Sequence, residues 1–80
     1  MYLVNQTNHQ KVKIVSYIIT NTDEAFYISN ICSYGIYLNL KTNEAKYTAI
    51  NYKSIKKSET IQTNVLRDID PPPEYFWAEN

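Results

Sequence analysis

Residues 34–55, YGIYLNLKTNEAKYTAINYKSI, constrain the fold of this 80-residue chain more than any other stretch. Ile36, Leu38 and Leu40 alternate with Tyr37, Asn39 and Lys41, the period of two that puts one set of side chains on the buried face of a strand. Thr42, Asn43 and Glu44 break the alternation, and asparagine is the residue after glycine that best accepts the left-handed backbone of a short hairpin loop. Counting outward from that loop pairs Ala45 with Leu40, Tyr47 with Leu38 and Ala49 with Ile36, and turns Lys46 and Thr48 to the other face. Ile50, Tyr52 and Ile55 cannot all continue one alternation, which predicts a bulge or tight turn near Lys53 and Ser54. Gly35 is the chain's single glycine and predicts a bend or a close backbone approach where the hairpin begins.

The rest of the chain extends this pattern. Ten isoleucines, eight tyrosines and seven threonines suit a pleated, half-buried surface, so the expected class is all-β. Tyr2–Asn5 reads as a first or edge strand, and Lys11–Thr20 begins with alternation and ends apolar on both faces, as a curled sheet requires. Residues 25–32 predict a third strand with Phe26 and Ile28 on one face. Residues 60–66 have two readings: a strand with Ile61, Thr63 and Val65 on one face, or a short helix within residues 58–69 capped by Ser58. The strand is preferred because Thr60, Thr63 and Asn64 are weak helix formers; the helix would make the fold α+β. The expected architecture is a small antiparallel barrel or strongly curled sheet of about five strands over residues 1–69, followed by a proline-led aromatic tail over residues 70–80. Five short strands with a bend of the form Ile50-x-Tyr52-x-x-Ile55 make residues 11–66 resemble SH3-like or Sm-like small barrels, and no function is carried over from that resemblance.

Charge and cysteine usage limit the functional classes. Eight basic residues balance eight acidic ones, which removes the global field that non-specific nucleic-acid or acidic-membrane binding would use. The balance is uneven along the chain, with seven lysines and three acids in residues 1–57 and Arg67 with five acids in residues 58–80. One cysteine, Cys32, cannot form an intrachain disulfide, so a reducing, cytoplasmic setting is expected. The start of the chain lacks a signal-peptide pattern, and no segment approaches the roughly 20 apolar residues of a membrane span. Nine asparagines beside many lysines, isoleucines and tyrosines suggest an AT-rich coding sequence and an origin in a phage or mobile element acting in a host cytoplasm.

Catalysis is not expected. His9 and Cys32 are each solitary, and they cannot supply the three or four ligands of a metal site, so neither cofactor nor metal is expected. The expected function is therefore a non-catalytic module that binds another protein and modulates or inhibits it. Its contact residues are expected to be Tyr75, Phe76 and Trp77, held by the prolines before them, with Tyr37 and Tyr52 on the body. The alternative for the three tail aromatics is that they pack back on their own domain and Trp77 closes an open end. Lys46, Lys53, Lys56 and Lys57 with nearby tyrosines could contact phosphates in a nucleic-acid-binding barrel, but a single arginine and zero net charge argue against it. A homodimer is a further expectation for the partner.

Overall fold

The computed structural model describes the chain apart from Cys32, Tyr52, Ser54, Lys56 and Asn80, together with the side chains of Lys57, Ser58 and Thr63. Among the described residues there are seven strands and no α-helix. They are β1 (Tyr2–Asn5), β2 (Lys11–Thr20), β3 (Glu24–Ser29), β4 (Tyr34–Asn39), β5 (Glu44–Ala49), β6 (Lys57–Gln62) and β7 (Tyr75–Ala78). All pairings are antiparallel, in the order β5-β4-β3-β2-β1-β7, with β6 also on β2.

The ten-residue β2 organises this sheet because it is long enough to serve three neighbours. Its first half pairs with β1, its second half with β6, and its opposite edge with β3. The register with β3 slips between Ile14 and Ser16, the mark of a bulge, which reverses the alternation within the strand. Val12, Ile14 and Tyr17 therefore all join the inner core, while Ile18 joins a second cluster on the outer face. This is the strand that starts half exposed and ends covered on both sides, and its bulge curls the sheet around the inner core of Leu3, Ile14, Tyr27, Ile36 and Leu66.

The hairpin forms with its faces as expected and its register displaced by two. Ala45 pairs with Leu38, Tyr47 with Ile36 and Ala49 with Tyr34, so Ala45 and Tyr47 still pack on the inner core, whereas Ala49, expected there opposite Ile36, is carried to the exposed end of the ladder. Leu40, expected in the core, lies in the loop and is 39% exposed. The cause is Asn39, whose side-chain oxygen accepts the N–H groups of Lys41 and Thr42 and so ends β4 one pair early. Asn43 takes the left-handed conformation at φ 61° and closes the loop. The third strand also stops short of its expected end, at Ser29, where the Ser29 hydroxyl accepts the Ile31 N–H and draws the chain into a turn.

The stretch with two readings is divided. Residues up to Gln62 form β6, and Thr63–Asp68 wind into a 3-10 turn that buries Leu66 and leaves Val65 exposed. The expected face of Ile61, Thr63 and Val65 is therefore lost after Ile61. At Gly35 the expectation of a close approach holds. A Cβ there would meet the Tyr27 carbonyl oxygen, and Cδ1 of Ile50 at 2.7 Å. Ile50 lies over this gap in the outer cluster with Ile18 and Ile28, and its N–H bonds the Ser33 carbonyl at 2.7 Å.

Tyr27 links the inner core to the chain beyond β6. It is 2% exposed, its ring lies 5.0 Å from that of Tyr17 and 6.2 Å from that of Trp77, and its hydroxyl donates to the Asp70 carbonyl at 2.8 Å. Burial, then the nearby Tyr17 and Asp70, push its hydroxyl well above the ordinary tyrosine range. The unfolded chain releases that proton near pH ~10 while the folded chain keeps it, so the contribution is intact below about pH 10 and is lost as pH rises above it. Thermal melts between neutral and strongly alkaline pH are expected to show a steep fall in midpoint. Tyr27→Phe should flatten that fall, with a residue left by Tyr17, whose hydroxyl burial also raises. An unchanged pH slope in Tyr27→Phe would contradict this assignment.

Candidate functional site

The C-terminal aromatics are set in place by the segment before them. Pro71, Pro72 and Pro73 cannot donate to a ladder, so the chain crosses the end of the sheet without strand pairing. Two aromatic side chains take the carbonyls left there: Tyr27 bonds Asp70, and Trp77 Nε1 donates to Ile69 at 2.6 Å. Glu74 turns with φ 70°, the Tyr75 N–H bonds the Pro72 carbonyl at 3.1 Å, and the Gln6 N–H bonds the Glu74 carbonyl at 2.8 Å. That sequence of turns delivers residues 75–78 alongside β1 as its second neighbour.

Strand alternation then sorts the tail. Trp77 lies opposite Leu3, which is fully buried, so Tyr75 and Trp77 face the core and Phe76 and Ala78 face outward. Tyr75 is 7% exposed, Trp77 is half-buried against the inner core, and Phe76 is 44% exposed. Pairing across three strands makes a small grid on the outer face, with Phe76 beside Val4 and Val4 beside Lys11 in one row, and Ala78, Tyr2 and Lys13 in the next. Lys11 Nζ lies 4.5 Å from the centre of the Tyr2 ring, which holds the cation over an aromatic face. The outer cluster of Ile18, Ile28 and Ile50 covers other strands and leaves this grid out. The grid is an aromatic and aliphatic strip with two lysines along one side and no acid within it.

Of the other expected contact residues, the structure brings Tyr37 and Lys46 together. Tyr37 is half-buried on the outer face, its ring 5.3 Å from Phe26 and its hydroxyl donating to Glu24 Oε2 at 3.0 Å. Burial and that hydrogen bond both hold the Tyr37 hydroxyl above its ordinary range. Lys46 pairs with Tyr37 across the hairpin, and both line an open hollow of about 450 Å³ with Asn39 and Glu44. Lys53 is exposed, while Tyr52, Lys56 and the side chain of Lys57 lie outside the described residues. His9 is exposed in the turn between β1 and β2, and Cys32 lies outside the described residues. No group of histidine, cysteine or carboxylate side chains able to hold a metal occurs among the described residues. No helix among them is long and apolar enough to cross a membrane.

The residues that sequence reasoning passed over are Tyr2, Val4, Lys11 and Lys13. The alternation of Lys11 and Lys13 was visible, but their value depends on β7 landing two strands away, which no local pattern reports. No known protein family, characterised protein or solved structure is significantly similar to this chain.

Proposed function

We propose that this chain is a non-catalytic protein-binding module that modulates or inhibits its partner by occupying part of the partner's surface, and that the grid on β7, β1 and β2 makes the contact. One observation carries this reading: Phe76 stands 44% exposed in an apolar strip, on a strand whose other face is locked into the core. An aromatic ring on a rigid strand desolvates a large area for few lost rotamers, which is the property of interface anchors. Tyr75 and Trp77 support it from the core side, and Lys11 and Lys13 select a partner whose matching surface is acidic beside an apolar hollow. The proposal includes a phage or mobile-element origin and a host cytoplasm, for which the support is the asparagine-rich composition and single cysteine.

A displayed peptide library selected on the immobilised chain tests this. Acidic peptides with an aromatic or aliphatic residue are expected to enrich, and Phe76→Ala is expected to abolish their binding while leaving the melting temperature nearly unchanged. Lys11→Glu with Lys13→Glu should weaken binding mainly through the association rate. An unselective library, or binders indifferent to Phe76→Ala, would refute the proposal. The second reading is single-stranded nucleic acid, favoured by Tyr2, Phe76 and two lysines sharing a sheet face. Saturable binding of an oligonucleotide at low salt, lost in Phe76→Ala, would replace the first reading with this one.

A further inference from the structure

At the other end of the strand order, β5 has β4 as its one strand neighbour among the described residues. Two hydrogen bonds fix which backbone groups face out. The Ile50 N–H points across to Ser33, and the Leu40 N–H points away from β5 to Asp23. Alternation along the ladder then turns Glu44, Lys46 and Thr48 toward β4 and leaves the N–H and C=O groups of Ala45, Tyr47 and Ala49 along the open edge. This edge is regular, with neither proline nor bulge, and its flanking alanines leave space for another strand.

The order of residues on the edge is close to symmetric about Tyr47: Ala45, Lys46, Tyr47, Thr48, Ala49. A two-fold contact between identical antiparallel strands sets each position against its mirror position whatever the sequence, and about Tyr47 this order sets alanine against alanine and ring against ring with no like charges opposed. From this we infer that the occupant of the β5 edge is a second copy of the chain, paired antiparallel about a two-fold axis at Tyr47. Tyr47 then meets Tyr47 of the second copy, and Ala45 meets Ala49 of the second copy, so all six outward groups on each strand gain partners. Lys46 falls opposite Thr48 of the second copy, which keeps the two Lys46 charges from facing each other. The inner face becomes continuous, since Leu38 and Ala45 of one copy run into Ala49 and Tyr34 of the other. Tyr34, stacked at 5.6 Å on Tyr47 and 42% exposed, extends the apolar contact on both sides of the axis.

An edge contact of this length is smaller than the roughly 1,600 Å² of a standard interface, so the dimer forms weakly, with a dissociation constant between about 10 μM and 1 mM. Sedimentation equilibrium across that range tests it. The average mass is expected to rise from 9.4 kDa toward twice that value with concentration. Thr48→Lys, which sets lysine against Lys46 twice, should weaken the dimer about five-fold, and Thr48→Glu should tighten it by about as much. Circular dichroism checks that both variants fold. Amide exchange of the unmodified chain gives a second measure, with Ala45, Tyr47 and Ala49 gaining protection as concentration rises. A mass fixed at 9.4 kDa for the unmodified chain and Thr48→Glu alike would overturn the inference. A dimer indifferent to both Thr48 variants, or edge amides indifferent to concentration, would overturn it as well.

Discussion

Trp77→Ala is expected to destabilise the protein by about 3–4 kcal/mol, lowering the melting temperature of a chain this size by roughly 12–25 °C. Three losses combine. The indole packs against the inner core and lies 6.2 Å from the Tyr27 ring. It pairs across the ladder with buried Leu3. Its N–H satisfies the Ile69 carbonyl, in a stretch where the following prolines offer no replacement donor. The neighbouring Phe76→Ala should cost less than about 1 kcal/mol, because that ring faces outward and its removal opens no cavity. Urea and thermal unfolding of both variants measure the contrast. Equal effects, or a larger effect at Phe76, would mean that the alternation of β7 is inverted.

Gly35→Ala is expected to be as damaging, at about 3 kcal/mol, although it adds one methyl group. The new Cβ would meet the Tyr27 carbonyl oxygen, which belongs to the backbone of β3 and cannot swing aside, and would lie 2.7 Å from Ile50 Cδ1, which can. Separating β3 from β4 to relieve the first contact would disturb the Tyr27 register that the core depends on. Shortening the flexible neighbour should recover part of the loss, so Gly35→Ala combined with Ile50→Val is expected to cost less than the sum of the two single changes. Additive costs would show that the obstruction is the carbonyl alone.

The sequence made the local order of this fold legible and left its closure hidden. The alternation of Ile36 and Leu38 with Tyr37 and Asn39 gave the faces of the hairpin, since a slip of two residues preserves them. The slip itself depends on one side chain, Asn39 capping its own loop, which competes with continuation of the strand by a small energy difference. The apolar end of β2 signalled a two-sided strand, yet the bulge after Ile14 that produces it carries no proline or glycine to announce it. Residues 60–66 looked ambiguous because they contain both answers, a strand to Gln62 and a 3-10 turn beyond. For the candidate site, Phe76 was visible as an aromatic after prolines. Its setting was not, because Tyr2, Val4 and Lys11 meet it across more than sixty residues of chain through pairing that only the tertiary fold supplies.

Native-state amide exchange at low protein concentration tests most directly whether residues 75–78 are a strand of this sheet. The Gln6 N–H bonds the Glu74 carbonyl, so alternation turns the amides of Phe76 and Ala78 toward β1 and the amide of Val4 toward β7. Those three amides are expected to be protected with free energies close to that of global unfolding, alongside the amides of β2 and β3. Exchange of Phe76 and Ala78 at the rate of an unstructured peptide, while β2 and β3 stay protected, would contradict the account, for the tail would then be no part of the fold and Phe76 would have no fixed place on it.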